Sequence, residues 1–368
     1  MTGGLTGPVG PIDPIDPEGA SPFPDAPSPR PLRLLLSGFG RVGRTLAQIL
    51  VERPGAFGDR FRVVGITTGA SGSLADPAGL DLAAALERLR SRGRFAEGDP
   101  GWSGLGTAEA ARTLGYDVLV ELSPLSVAGR GEPALGYCRT ALDRGRHVVS
   151  ANKGPVAWGY SELSALAAAR GVRFRFESTV MDGAPVFNLV ERCLPGATVE
   201  RFEGVLNSTT NVILSELERG LGFDAALERA RQAGVVEANP EDDLAGWDAA
   251  VKAACLARVL LGAEIPPEEV ERTDIRDVDP ARPAGARERG TRLKLVAEGE
   301  RTRGPGGPRV RVRLRELPLE DPLAQVAGTS SALRLVTDLP GRLVVVEEGP
   351  DLRTTAYGVL ADLASLTG

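Results

Sequence analysis

"RLLLSGFGRVGRTLAQILVER", residues 33–53, carries three signals in one line. The apolar run from Leu32 to Leu36 has the pattern of a strand buried on both faces, as in a parallel sheet. Gly38, Gly40 and Gly43 then make G-x-G-x-x-G, and the residues that follow space their apolar side chains at helical period. Strand, glycine turn and helix in this order open a dinucleotide-binding unit. The glycines let the backbone approach a pyrophosphate, and the helix start offers it free N–H groups and the positive end of a dipole. Gly38, Phe39, Gly40, Arg41, Val42 and Gly43 are therefore the expected cofactor cradle. The fold class that follows is α/β, a Rossmann-type doubly wound parallel sheet.

The next strand, "FRVVGITT" at 61–68, bears on the choice of dinucleotide. An NAD site usually places an acid near the end of this strand to hold the ribose hydroxyls. Here Thr67, Thr68 and Gly69 stand instead, with no carboxylate before Asp76, so NADP is favoured and NAD stays possible. "YDVLVELSP" (116–124) and "RHVVSAN" (146–152) read as later strands of the same sheet, with "GEPALGYCRTALDRG" (131–145) as a helix between them. Ser123, Pro124 and Lys153 follow strand ends, where a doubly wound fold meets its ligand.

From about residue 155 the pattern becomes mixed α+β. "GVRFRFEST" and "VERFEGVLN" read as strands, "NVILSELERG" and "FDAALERARQAG" as helices, and residues 291–317 as a hairpin with a Gly/Pro turn. "SALRLVTD" and "GRLVVVEE" add strands, and "RTTAYGVLADLASL" closes the chain as a helix. The expected division is a Pro/Gly-rich tail over 1–30, too poor in apolar residues to offset its ordering entropy, and a dinucleotide-binding domain over 31–153 to which 345–368 returns. Residues 154–344 form a second, substrate-binding and dimerisation domain.

Composition narrows the partners. The net charge of −6 and the lack of any clustered Lys/Arg run argue against nucleic acid. Cys138, Cys193 and Cys255 are far apart without CxxC spacing, so neither a disulfide framework nor a zinc cluster is suggested. There is no export signal and no long apolar run, so no membrane is expected and the cytoplasm fits best.

The use of lysine points to chemistry. Of 43 Lys and Arg residues only Lys153, Lys252 and Lys294 are lysines. Arginine keeps its proton, whereas a lysine ammonium can exchange one when its surroundings move its pKa. In "GVVEANPEDDLAGWDAAVKAACLARVLLG" (234–262), Asp248 and Lys252 are four apart with the acid first, on a helix apolar nearly all round. A surface pair is the ordinary reading of that spacing; the apolar surroundings point instead to a desolvated pair able to donate a proton. Glu237, just before an Asn-Pro helix start, reads equally as an exposed loop acid or as one that binds an ammonium group. The single histidine, His147, reads as core.

"SANKGPVA", "ESTVMDGAPVFNLV", "GVLNSTTNVILSEL", "VVEANPEDDLAGWDAAVK" and "TTAYGVLADL" occur in that order, and together they resemble homoserine dehydrogenase in its short form without a regulatory domain. The resemblance covers about residues 32–368. It implies reversible reduction of L-aspartate 4-semialdehyde to L-homoserine with NAD(P)H, on the route to threonine and methionine, by a homodimer. Lys153 and Lys252 would flank the aldehyde, Asp248 would orient Lys252, Glu237 would bind the substrate amino group, and Asp243 and Thr209 would help hold the substrate. A monovalent cation, Na+ or K+, would sit on Glu177 and the main-chain carbonyls of Val180, Asp182 and Ala184. Gly349 would keep a loop close to the cofactor. The chain departs from the family pattern at Val235, Ser208 and Asn239, and in that last loop at Glu347, Glu348 and Asp351, whose carboxylates would repel the cofactor phosphates. Two alternatives accompany this reading: a catalytically weak homologue serving as a nucleotide-binding or regulatory protein, and a dehydrogenase of another small hydroxy or aldehyde amino acid. "GFGRVGR" also resembles glyceraldehyde-3-phosphate dehydrogenase, but no cysteine here sits at a helix start as that chemistry needs.

Overall fold

The apolar run at the head of the chain becomes β1 (Leu32–Ser37), in which Leu34, Leu35 and Leu36 have no exposed surface. A computed structural model describes residues 30–236, 240–302 and 307–367; the expected tail, Glu237, Asn239 and the turn at 303–306 lie outside them. After β1 come α1 (Arg41–Glu52), β2 (Phe61–Thr67), β3 (Ser73–Ala75), α2 (Leu82–Arg92), β4 (Trp102–Ser103), α3 (Thr107–Thr113) and β5 (Val118–Glu121). Then follow α4 (Ala134–Asp143), β6 (His147–Ser150), α5 (Gly154–Arg170) and β7 (Phe174–Arg175).

These strands make one sheet in the order β4-β3-β2-β1-β5-β6-β7. β2, β1, β5, β6 and β7 run parallel, while β3 and β4 add an antiparallel edge. The chain leaves β1 for β2 on one side and later crosses to β5 on the other, so the strand order reverses between β1 and β5. In an open α/β sheet that reversal opens a crevice at the strands' carboxyl ends. The period of two along the strands sorts their side chains: Leu34, Leu36, Val118 and Val120 pack with Leu46 of α1, while Leu35, Leu119 and Val148 pack with Leu142 and Leu163 of α4 and α5. The expected α/β, Rossmann-type class is what the chain forms. β7, Phe174–Arg175, pairs with β6 at the edge of this sheet. Of "GVRFRFEST" only Phe174 and Arg175 are strand, because Glu177–Thr179 turn away to meet the last helix.

The second part holds α6 (Val186–Asn188), β8 (Val199–Val205), α7 (Ser208–Glu218), α8 (Phe223–Gln232), α9 (Glu241–Leu244), α10 (Trp247–Leu256), β9 (Glu271–Arg272) and α11 (Ala281–Glu288). It continues with β10 (Thr291–Glu300), β11 (Arg309–Pro318), α12 (Pro322–Gln325), β12 (Ser331–Thr337) and β13 (Arg342–Glu347). The sheet order is β13-β12-β8-β10-β11-β9, antiparallel except for β11 with β9. One face, with Phe202, Leu293, Leu295 and Leu335, packs on α7, α10 and α11 and is continuous with the core beneath α5. The other carries a small apolar cluster under α12 and then an ion-pair ladder in which Glu203 meets Arg315 and Arg334, and Glu298 meets Arg311 and Arg313. On that open face Val344 and Val346 are 38% and 47% exposed.

The last helix, α13 (Leu352–Ala364), returns to the first sheet. Its Val359, Leu360 and Leu363 complete the cluster around Leu34, Leu36 and Leu46.

Candidate active site

At the reversal point the glycine turn is pressed onto the end of β5. Gly38 has φ +98°, and a Cβ there would meet Leu122 C at 2.7 Å and Ser123 N at 2.8 Å, so no other residue fits without moving backbone. A Cβ on Gly43 would lie 2.8 Å from Gly38 O, which is why the third glycine is needed for the helix to sit so close. Gly40 faces open space at the start of α1. The cleft above has a volume of about 980 Å³. Its walls include Gly38, Phe39, Gly40, Arg41 and Val42 from the turn, Thr67 from β2, Ser123 and Pro124 after β5, and Lys153. Gly349 does not reach these walls; its N–H donates to Ser330 Oγ at 3.0 Å. A second opening of about 620 Å³ adjoins the cleft and shares Arg41, Asp182, Leu352 and Thr355 with it.

Lys153 stands at the head of α5 and meets Asp248 in the first turn of α10. Lys153 Nζ lies 3.3 Å from Asp248 Oδ1, and Lys252 Nζ lies 3.2 Å from Asp248 Oδ2 and donates to Leu206 O at 2.6 Å. One carboxylate thus holds two ammonium groups that come from different parts of the chain. The lysine side chains remain 23% and 16% exposed, enough for a small molecule to reach them. Burial pushes the Asp248 carboxyl up, but the two lysines and the Asn207 amide outweigh it and hold the group well below the usual carboxylate range. For Lys153, burial acts to lower the pKa and Asp248 more than reverses it, so its ammonium is held more firmly than a free lysine's.

A second carboxylate completes the group. Asn207 Nδ2 donates to Asp243 Oδ1 at 2.7 Å and to Asp248 Oδ2 at 3.0 Å, while Thr209 Oγ1 donates to Asp243 Oδ2 at 2.9 Å. Burial, and then repulsion by Asp248, raise the Asp243 pKa. Asn207 also caps α7, its Oδ1 accepting from Thr210 N at 2.9 Å, so the residue that starts the helix also ties the two acids together. Asn207 is not among the site residues expected from the sequence; Asn just before Ser-Thr-Thr is the cap signal that marks it. Glu237, expected beside this group, lies outside the described residues.

The loop expected to carry a cation makes several hydrogen bonds within the protein. The Glu177 carboxylate accepts from Phe187 N at 2.7 Å, from Asn188 N at 2.8 Å and from the Asn188 side-chain amide. Ala184 O accepts from Val186 N, and Asp182 O faces α13, where a Cβ on Gly358 would meet it at 2.6 Å. The described residues contain no cluster of three or more His, Cys, Asp or Glu able to hold a metal; a site of one carboxylate and main-chain carbonyls is of a different kind. The acids of the last loop differ from expectation as well. Glu347 is buried and accepts from Gly183 N at 2.8 Å, and the Asp351 carboxylate caps α13 by accepting from Arg353 N and Thr354 N. Glu347 alone is turned into the protein; Asp351 is tied to two backbone N–H groups at the surface, and Glu348 is exposed.

A glycine-turn crevice facing a lysine pair on one carboxylate defines a nicotinamide-nucleotide-dependent oxidoreductase. The family model described as homoserine dehydrogenase matches residues 185–364. The NAD(+)-dependent homoserine dehydrogenase of Pseudomonas canavaninivorans is 35% identical over 335 residues, 90% of this chain and 95% of that one. The homoserine dehydrogenase of Methanocaldococcus jannaschii is 32% identical, over 90% of this chain and 97% of its own. Among solved structures, a hyperthermophilic archaeal homoserine dehydrogenase in complex with NADPH superposes with a TM-score of 0.78 at 32% identity, covering 91% of this chain and 97% of that one. That of Thermoplasma acidophilum gives 0.78 at 25%, covering 92% and 99%. The chain belongs to the homoserine dehydrogenase family.

Proposed function

We propose that this chain interconverts L-aspartate 4-semialdehyde and L-homoserine with NAD(P)H, and that Lys153, Lys252 and Asp248 are its catalytic residues. The observation that carries the reading is the pair of ammonium groups on Asp248, at the edge of a crevice shaped for a dinucleotide. The nicotinamide, when bound, supplies or accepts the hydride. Carbonyl reduction also needs a proton on oxygen, and Lys252 Nζ, held by Asp248 and Leu206 O, is placed to give it. Lys153 Nζ stabilises negative charge on the same oxygen, and Asp243, with Thr209 and Glu237, takes the polar end of the substrate. Glycine-turn residues 38–43, Thr67, Ser123 and Pro124 hold the nucleotide. Residues 31–153 with the returning 345–368 act as the nucleotide part and 154–344 as the substrate and dimer part.

NADP(H) is the favoured nucleotide. One relative is named as NAD(+)-dependent and one solved neighbour is in complex with NADPH, so both occur in the family. Here the cleft lining includes Thr67, Thr68, Gly69, Ala70 and Ser71 at the end of β2 together with Arg41 and Arg44, and none of residues 67–71 is an acid that would repel a 2′-phosphate. The homodimer in this reading forms through the open face of the second sheet. No described helix is long and apolar enough to cross a membrane, and the reading places the enzyme in the cytoplasm. A monovalent cation on Glu177 and the main-chain carbonyls of Val180, Asp182 and Ala184 stays part of this reading, and no step is routed through it. Following NADPH oxidation by the purified chain with aspartate semialdehyde tests the assignment, and homoserine oxidation at high pH tests its reverse. No turnover in either direction would overturn it, and a higher kcat/KM with NADH than with NADPH would overturn the nucleotide preference alone.

A further inference from the structure

Glu121 ends β5 with no exposed surface and takes no part in the steps above. Its Oε2 accepts from Ser37 Oγ, at the end of β1, at 2.6 Å. Its Oε1 accepts from Ser123 N at 2.8 Å and from the Ser123 hydroxyl. Ser123 Oγ in turn accepts from Asn152 Nδ2 at 3.3 Å; the same amide donates to Pro124 O at 3.3 Å, and Asn152 Oδ1 accepts from Gly154 N at 2.9 Å. A continuous line of hydrogen bonds therefore runs across the carboxyl ends of β1, β5 and β6 and stops at the head of α5, beside Lys153. No positively charged side chain is among these partners; burial raises the Glu121 pKa, with the serine and asparagine donors opposing it.

Ends of neighbouring parallel strands have no ladder beyond them to keep the following loops in register. The three loops joined here supply the glycine turn, Ser123 with Pro124, and Lys153, which are parts of one reacting centre. We propose that Glu121 is a positioning residue for the reaction, setting Lys153 and the Ser123-Pro124 loop relative to the glycine turn. The inference rests on the function assigned above. Glu121 acts through Ser123 and Asn152, and it touches neither substrate nor nucleotide.

The test compares Glu121→Ala and Glu121→Gln in the full chain by kcat, KM for both substrates, NADPH affinity by fluorescence titration, and Tm. Misplacing a catalytic group by about 1 Å costs on the order of 10²-fold in rate, and Glu121→Ala is expected to lose kcat on that scale and to bind NADPH more weakly. Glu121→Gln is expected to recover most of both, because its amide oxygen can still accept from Ser123 and its amide N–H can donate to Ser37 Oγ. A folded Glu121→Ala with wild-type kcat and NADPH affinity overturns the inference. So does a fall in Tm alone, which marks a merely structural role, and so does a glutamine variant no better than alanine, which means that charge and not position matters. If the alanine variant does not fold, Asn152→Ala cuts the same line one link later. It is expected to lower kcat with NADPH affinity nearly unchanged, and an unchanged kcat overturns the inference. A wild-type chain that binds NADPH without turnover would sink the assigned reaction instead, since NADPH affinity still ranks the Glu121 variants.

Discussion

Lys153 and Lys252 share one carboxylate although they come from the two different domains expected from the sequence, at the head of α5 and within α10. Replacing either by alanine removes an ammonium that acts on the carbonyl and leaves the nucleotide cradle intact. Each variant is expected to lose about 10²- to 10⁴-fold in kcat while NADPH affinity, measured by fluorescence titration, changes little. Near-native kcat in either variant would show that the lysine is not acting on the carbonyl. The sign of the pH effect follows from Asp248. It holds the Lys153 ammonium to higher pH, against burial, which acts to release the proton. In Asp248→Asn the largest effect that opposes burial is gone, so the alkaline fall of kcat for aldehyde reduction is expected at lower pH than in the wild type. A profile that stays in place, or moves up, would contradict this. Much of this pair was legible: the i,i+4 spacing and the rarity of lysine marked Lys252. The bond from Asn207 to both acids was not, because it depends on where β8 delivers the chain after Leu206 and no local pattern reports that.

Among the elements, α13 and the loop before α6 are joined along their length. Glu177 N donates to Asp362 Oδ2 at 2.8 Å, Ser178 Oγ donates to Thr355 O at 2.9 Å, and Thr355 Oγ1 donates to Asp182 Oδ1 at 2.7 Å. Close packing accompanies the bonds: a Cβ on Gly183 would meet Thr354 O at 2.7 Å. Asp362 is buried between the two, and burial, with Glu177 beside it, raises its pKa to about 7. An unfolded aspartate titrates near 3.9, so between these values the folded chain holds a proton that the unfolded chain has lost. The stability contributed is full below about pH 4 and is lost as pH rises through about 7. Asp362→Asn stays neutral throughout, so the fall of Tm between about pH 5 and pH 8 is expected to flatten in the variant. An equal slope in both proteins would remove Asp362 as its source. The sequence showed α13 as a helix but not this partner. The two-residue β7 was read as a longer strand because "RFRF" alternates, and it is cut short where Glu177 turns to α13. Glu347 and Asp351 were read as free charges because sequence shows the acid and not the N–H groups that receive it.

For the whole molecule, the open face of the second sheet is expected to meet its own copy. An ion-pair ladder beside two exposed valines on a sheet face suits a self-complementary contact better than bulk water does. Light scattering on a sizing column is expected to give twice the chain mass, and Val344→Arg combined with Val346→Arg to give the monomer; a wild-type monomer would refute the arrangement. The composition and glycine turn showed the class of fold, yet the order of the second sheet was hidden, because β8 pairs with strands more than 80 residues later. The path of α13 has a further consequence, for synthesis. Leu34 and Leu36 leave the ribosome early, but Val359, Leu360 and Leu363, which pack on them, are translated only after the whole of the second sheet. Until then the nucleotide half has part of that face covered only by α1 and α2, and it closes once α13 has emerged. A nascent chain stalled before residue 352 is expected to be protease-sensitive in that half and to acquire resistance once α13 has emerged.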